Sequence, residues 1–228
     1  MEIELITTGT ELLLGRVLNT HQQWIGQRLA DSGYTLSRQV TVPDTGQAIR
    51  EAVQTALGRA RLVITTGGLG PTSDDITRGL IADLLARPVG RDESIVSHIE
   101  SFFARRNRPI PESVLVQAQV PKGAVVIPNE HGTAPGLAIE VSPNTFHETG
   151  IPAWLRPMVE DRALPFIKKH LSLEQSFHCR TLRSLGIGES MVEEVLLGQL
   201  KPLMDRGLDL GFCARTGQVD IRLSGSGP

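Results

Sequence analysis

The run Leu62-Val63-Ile64-Thr65-Thr66-Gly67-Gly68-Leu69-Gly70-Pro71-Thr72-Ser73-Asp74-Asp75-Ile76-Thr77 limits what this chain can fold into more than any other part of it. It reads as a buried strand that breaks into a glycine-rich turn and leads into an acid-led helix. Gly67, Gly68 and Gly70 allow backbone angles that a side chain would forbid, so main-chain N–H groups can approach an anion at the next helix's N-terminus. Thr65, Thr66, Thr72, Ser73 and Thr77 add hydroxyl donors around the same turn. Asp74 and Asp75 fall where the metal counter-ion of that anion would sit. The competing reading is a plain connecting loop, which rarely carries so many polar groups.

The rest of the chain repeats the same alternation. Residues 2–8 read as an apolar strand, and residues 19–29 place Trp24, Ile25 and Leu29 on one helical face. Residues 34–42 read as a second strand. A helix then carries Ile49, Val53, Ala56 and Leu57 at helical spacing, before the third strand at residues 62–65. Alternating strands and helices close as a mostly parallel sheet with helices on both faces, so the expected fold class is α/β, a three-layer sandwich. Residues 124–128 and 137–141 read as later strands, and residues 105–111 as a basic, proline-bearing loop. Near residue 170 the pattern restarts, with strands at 177–182, 208–214 and 218–223 and a helix at 189–200. The expected division is a domain at 1–170 followed by a small α+β domain at 171–228. About 55 residues lie near the lower limit for an independent core, so that unit should dock on the first domain or on a second chain, and a homo-oligomer is expected.

Composition narrows the partners. A formal net charge of −2 supplies no global field for nucleic acid or an anionic membrane, so any anion must be bound locally. No stretch reaches the length of a membrane span, and acids stand in the first residues where a signal peptide has bases. A cytoplasmic location is expected. Cys179 and Cys213 lack metal-ligand spacing and read as small core residues. The six histidines show no ligand spacing either, and no catalysis is assigned to them.

Ligands of an open parallel sheet bind beyond the carboxyl ends of its strands. The first strand ends in Thr8-Gly9-Thr10-Glu11, the second in Pro43-Asp44-Thr45 and the third in the glycine turn, so these should meet in one crevice. The candidate phosphate ligands are Thr66, Gly67, Gly68, Gly70, Thr72 and Ser73, with Gly132 and Thr133 in a second tight turn. Gly9, Thr10 and Glu11 face the same ligand. Carboxylates beside a phosphate cradle call for a cation, and oxygen-only ligands suit magnesium, with manganese or cobalt as substitutes. Asp44, Asp74 and Asp75 are the candidate metal ligands, and Asp44 and Asp75 the candidate general bases. Glu11 as a solvated carboxylate, Asp44 as a turn residue and Asp74 as a helix-terminal charge are the simpler readings. A Walker loop and a dinucleotide fingerprint are both excluded, because neither glycine pattern is present. Gly186-Ile187-Gly188-Glu189 lacks the spacing of an RNA-binding loop.

With these residues in view, the chain resembles the N-terminal region of the CinA, or competence/damage-inducible, family, whose first domain has the molybdopterin-binding, MoaB/MogA-like fold. The resemblance runs through Gly9-Thr10-Glu11-Leu12-Leu13-Leu14-Gly15, Asn19-Thr20, Pro43-Asp44, the glycine turn, Phe102-Phe103-Ala104-Arg105-Arg106, Pro128-Asn129 with residues 132–136, and residues 182–189. It implies a three-layer sandwich followed by a small KH-type domain that is cut short. It further implies metal-dependent hydrolysis of ADP-ribose, or a similar dinucleotide, to AMP and ribose 5-phosphate. The alternatives it leaves are a pterin-phosphate-binding protein of the molybdenum-cofactor kind, in whose relatives the acids matching Asp44 and Asp75 matter, and a non-catalytic oligomeric scaffold, dimer or trimer. Where the family reads Leu-Pro-Gly-Val-Pro-x-Glu-Met, this chain has Glu148-Thr149-Gly150-Ile151-Pro152-Ala153-Trp154-Leu155. Gly150 and Pro152 keep the ligand-facing turn, while Thr149 and Trp154 replace the motif's proline and glutamate. Full-length family members often add a nicotinamide-nucleotide amidase domain, and no deamidation is expected of residues 1–228.

Overall fold

The computed structural model describes residues 2–142, 145–149, 155–173 and 175–227. The chain divides into two compact units, residues 1–26 with 35–167, and residues 27–34 with 168–228. Among the described residues no helix is long and apolar enough to cross a membrane.

The first unit is built on a six-stranded sheet. In chain order, β1 (Ile3–Thr8) is followed by the short α1 (Thr10–Leu13) and by α2 (Thr20–Asp31), then β2 (Arg38–Val42), α3 (Gly46–Leu57) and β3 (Leu62–Thr66). α4 (Thr77–Leu84), β4 (Val89–Arg91), α5 (Glu93–Ala104), β5 (Gln119–Pro121), β6 (Ala124–Ile127), β7 (Gly136–Ser142) and β8 (Thr145–Thr149) follow, β4 and β5 pairing as a separate two-stranded ribbon, with α6 (Leu155–Met158) and α7 (Leu164–His170) after them. The strand order is β2-β1-β3-β8-β7-β6. β1 lies parallel to β2 and β3, β3 lies parallel to β8, and β7 runs antiparallel between β8 and β6. The mostly parallel α/β architecture expected from the sequence is therefore present.

β1 and β3 are buried along their whole length, as strands covered by helices on both faces must be. α3 lays Ile49, Val53 and Ala56 against Ile6, Val63 and Ile139 of the sheet, and Ile81 of α4 joins the same core. A second cluster forms where Ile95, Val96 and Ile99 of α5 meet Val114 and Ala118 of a 3-10 helix at Glu112–Ala118. One carboxylate interrupts the apolar interior of β1. Glu4 is 2% exposed and is held by both Nε and Nη2 of Arg59, the latter at 2.9 Å, so its charge is compensated where water cannot reach it.

Several boundaries differ from the sequence reading. The second strand starts at Arg38 rather than Tyr34, because Ser37 clasps Ile3 through its main-chain N–H (2.9 Å) and its hydroxyl (3.0 Å), and only then does pairing begin. The helix after the glycine turn starts at Thr77, so Asp74 and Asp75 stand in the loop and the helix has no acid in its first turn. β8 and the β4–β5 ribbon carry too little periodicity to be read from the sequence. In the basic loop, Arg106 stacks 3.6 Å over the Phe102 ring and donates to the Phe102 carbonyl, which occupies it locally.

The second unit contains a three-stranded antiparallel sheet in the order β10-β11-β9, from β9 (Ser176–Leu185), β10 (Asp209–Arg215) and β11 (Gln218–Gly227), with α8 (Glu189–Met204) between β9 and β10. Val192 of α8 packs on Val219 and Ile221, with Leu210 and Phe212 at the margin. Residues 27–34 complete this unit, and the buried Tyr34 hydroxyl donates to the Leu171 carbonyl at 2.8 Å. Residues 224–227 continue β11 against β9 instead of forming the linker that their serine and glycine composition suggests. The two cysteines are not core residues. Cys213 is exposed on β10, and the half-buried Cys179 receives a hydrogen bond from Arg222 at 3.4 Å.

Candidate functional site

The carboxyl ends of β1 and β3 lie side by side, since the two strands are paired through Thr7 and Thr66. Each chain leaves the sheet there, and between the exits lies a cleft of about 540 Å³. Thr7, Thr8, Thr66, Gly67 and Gly68 form its sheet side. Glu11, Leu12, Leu69, Gly70 and Asp75 line it further out, together with residues 17–21.

The glycines there are required by space as well as by conformation. Gly67 and Gly68 hold φ of 100° and 69°, in the left-handed region. A Cβ on Gly67 would lie 2.7 Å from the Thr8 carbonyl oxygen, and one on Gly68 would lie 2.8 Å from the Thr77 Cβ. Gly70 serves differently. Its φ is not in that region, but a Cβ would lie 2.8 Å from the Asp75 carboxyl carbon, so the missing side chain makes room for the acid.

Three hydroxyls stand around these glycines without a hydrogen-bond partner among the described residues: Thr7 Oγ1, Thr8 Oγ1 and Thr77 Oγ1, all buried. Burying one such hydroxyl unpaired costs about 1–3 kcal/mol. Thr7 and Thr8 line the cleft, while Thr77 stands behind Gly68 and outside the lining. Sequence reading places Thr8 in a polar strand end and Thr77 among the hydroxyls of the turn, but singles out neither and omits Thr7. Only the pairing of β1 with β3 brings the three together.

The acids divide. Asp75 lines the cleft, and its Oδ2 accepts from the Thr72 N–H at 2.9 Å and from the Thr72 hydroxyl, closing the turn. Arg78, three residues further on at the start of α4, is 6% exposed. Burial pulls the Arg78 guanidinium below its ordinary pKa, and the Asp75 charge opposes the shift. Glu11 also lines the cleft. Asp44 does not: its Oδ2 accepts from the Thr10 N–H at 2.8 Å, and its own N–H donates to the Thr10 hydroxyl, so it ties the end of β2 to the start of α1. Asp74 and Ser73 are exposed and lie outside the cleft lining. Gly9 and Thr10 flank it. Gly132 and Thr133 belong to the loop between β6 and β7, with β6 three places from β3 in the sheet, and lie outside the cleft lining. The Gly132 carbonyl there contacts His98 Nε2 at 2.9 Å. Gly150 and Pro152 lie outside the described residues.

One histidine joins the lining without having been picked out in sequence. Burial, and next the Arg156 charge, hold the His21 imidazole below its ordinary pKa of 6.5. Among the described residues no group of three or more histidine, cysteine, aspartate or glutamate side chains gathers as metal ligands. Two carboxylates on one cleft, Glu11 and Asp75, suit a magnesium ion that arrives with a phosphate rather than one caged by protein alone. A hollow of about 770 Å³ on the second unit, lined by residues such as Leu203, Leu208 and Leu223, has among the described residues none of the unpartnered buried polar atoms found at the cleft.

The molybdopterin-binding profile described as "Probable molybdopterin binding domain" matches residues 4–169. A CinA-like protein of Akkermansia muciniphila is 44% identical over 229 residues, covering 99% of this chain and 54% of the relative. The chain thus spans about half the length of the curated relatives it matches. Among solved structures, a CinA protein of unknown function from Thermoplasma acidophilum superposes with a TM-score of 0.64 at 29% identity, covering 73% of this chain and 98% of that one. The molybdopterin biosynthesis enzyme MoaB of Thermus thermophilus superposes with a TM-score of 0.50 at 20% identity, covering 75% and 94%, which is a likeness of fold. The chain belongs to the molybdopterin-binding domain family, among its CinA-like, competence-damage inducible members.

Proposed function

We propose that the cleft binds the phosphate end of a nucleotide-like or pterin-like molecule and, with a divalent cation, hydrolyses the phosphoanhydride of ADP-ribose to AMP and ribose 5-phosphate. The observation that carries the reading is the cleft in which Gly67 and Gly68 hold left-handed backbone beside Thr7 and Thr8, whose hydroxyls are unpartnered among the described residues, and which also presents Glu11 and Asp75. Hydroxyls and main-chain N–H groups of Thr66, Gly67 and Gly68 hold phosphate oxygens in a fixed array, which orients the phosphorus for attack by water. Asp75 accepts a proton from that water. The P–O bond of the anhydride breaks, and one phosphate leaves on each half. Glu11 and Asp75 are the residues that would hold a magnesium, manganese or cobalt ion, which when bound would neutralise charge on the phosphates. Asp44 acts at a distance in this scheme, by fixing Thr10 and so the approach of Glu11.

The pterin reading shares the cradle and needs no turnover. It is favoured by the family profile that matches residues 4–169, whose description names molybdopterin, and by the commitment of Asp44 to Thr10. Incubation with ADP-ribose and each of the three cations, with AMP measured by ion-exchange chromatography, separates the two. Release of AMP that Asp75→Asn lowers at least about tenfold supports hydrolysis. Absence of AMP with every cation, alongside calorimetric binding of 6-hydroxymethylpterin monophosphate, leaves binding alone. A homo-oligomer is proposed as well, since Leu13 and Leu14 are exposed on α1 and its C-terminal end, and light scattering on the purified chain checks it.

A further inference from the structure

A groove of about 580 Å³ lies wholly within the second unit, between the last turns of α2 and the three-stranded sheet. Val219 and Ile221 of β11 pack toward α8, so Asp220 between them points to the opposite face, where the groove runs. Two arginines reach that acid from the strands on either side. Arg183 of β9 donates from Nε to Asp220 Oδ1 at 2.7 Å, and Arg215 of β10 brings its Nε within 3.4 Å of Oδ2. The Asp220 side chain is 12% exposed and those of Arg183 and Arg215 are 58% and 48% exposed, so the acid forms the floor and the guanidinium groups stand above it. The Arg183 hydrogen bond, and after it the charges of Arg183 and Arg215, hold the Asp220 carboxyl below its ordinary pKa against the effect of burial. Arg28 lines the α2 wall, 3.4 Å from Asp31. Arg222, just outside the lining, donates to the Sγ of Cys179 within it at 3.4 Å.

Four arginines thus gather round two aspartates, an excess of two positive charges at one groove. Like charges held together repel unless an anion lies between them, and one carboxylate shared by two guanidinium groups compensates only half of that pair. Arg215 approaches Asp220 through Nε, and its Nη groups make no hydrogen bond among the described residues. Such a planar fork matches the oxygens of a carboxylate or a phosphate. A single carboxylate would only duplicate Asp220, whereas linked phosphates bring the charge that Asp31 and Asp220 leave uncompensated. We propose that the groove is a separate anion site for a compact pair of linked phosphates, free or at the end of a nucleoside diphosphate, with one phosphate on Arg183 and Arg215 and the other on Arg28. The Thr181 hydroxyl and the Gln27 amide line the same space and add neutral donors. The site needs nothing from the cleft of the first unit and stands or falls apart from the hydrolysis reading.

NMR of the arginine Nε–H groups in the full chain tests the proposal, with pyrophosphate, ADP and inorganic phosphate titrated at constant ionic strength and without divalent metal. The expected result is a saturable shift of the Arg183 and Arg215 signals, with pyrophosphate bound at least about tenfold more tightly than phosphate. Arg215→Gln, which leaves Arg183 on Asp220, should weaken pyrophosphate binding about tenfold, and so should Arg28→Gln on the α2 wall. In both variants the main-chain N–H signals of Gly67 and Gly68 should respond as in the wild type. ADP bound more tightly than pyrophosphate assigns the groove to a nucleoside diphosphate, and the reverse order assigns it to the free anion. A linear drift of the arginine signals, alike with all three anions, is ionic screening and overturns the site. Shifts confined to Gly67 and Gly68 overturn it as well, and leave the cleft reading standing. Wild-type affinity in both variants overturns it too.

Discussion

Thr8 stands at the end of a fully buried strand with a hydroxyl that no described residue satisfies, beside a glycine whose missing side chain makes the space. A site that stores unsatisfied groups trades stability of the empty protein for affinity. Thr8→Val keeps the shape and removes the hydroxyl, so the ligand-free protein is expected to gain about 1 kcal/mol in chemical denaturation, while affinity for ribose 5-phosphate falls. A loss of stability instead would mean that the hydroxyl already has a use in the empty protein. His21 tests the same cleft through pH. Its folded pKa lies below the unfolded value of 6.5, so between the two the unfolded chain binds more protons and stability rises with pH. The contribution is present above pH 6.5 and is lost as pH falls through the lower, folded value. Denaturation midpoints of the wild type should drop over that window, and His21→Gln should flatten the drop.

At the scale of elements, α5 shows how a cap makes a helix separable from its packing. The Asp92 side chain accepts from the Ser94 N–H at 2.9 Å and the Ile95 N–H at 3.3 Å, filling two of the open donors of the first turn. The Ser94 hydroxyl above all, with both main-chain donors, holds the Asp92 carboxyl below its ordinary pKa. Asp92→Ala is expected to lower stability by about 1 kcal/mol in urea denaturation. The wild-type advantage over the alanine variant should be full above the ordinary aspartate range and vanish as pH drops through the depressed folded pKa. Elements with their own periodicity and caps are also those that the sequence exposes. α3, with Ile49, Val53 and Ala56 on one face, and the buried β3 before its glycines are legible from residue order alone. β8 is not, because a strand inserted between β3 and β7 owes its place to both neighbours. The cleft divides the same way. Glycine spacing marks the turn, but the grouping of Thr7, Thr8 and Thr77 and the diversion of Asp44 to Thr10 depend on which strand lies next to which. His21 gives no signal in sequence, since a lone histidine is an ordinary surface residue until a cleft is known beside it.

For the whole molecule, the division into units does not follow a single cut of the chain. Residues 27–34 belong with residues 168–228, although α2 is one helix that begins in the first unit. Tyr34 is 2% exposed and its hydroxyl reaches the Leu171 carbonyl, while a Cβ on the neighbouring Gly33 would lie 2.7 Å from Leu173 and from Phe177. A fragment ending at residue 170, where the change of sequence pattern suggests a domain boundary, strips all three contacts from this turn. It leaves a phenol without its acceptor and bares the end of an amphipathic helix, with an unsatisfied-group penalty of about 1–3 kcal/mol before any apolar exposure is added. Residues 1–170 are therefore expected to melt well below the full chain and to bind a hydrophobic dye, whereas Tyr34→Phe in the full chain, which loses the hydrogen bond but keeps the packing, should lower the denaturation midpoint only slightly. Equal melting of the fragment and the full chain would show that the turn is held from within residues 1–170. The cleft would then be portable on a single contiguous segment, and its ligand binding should survive the cut.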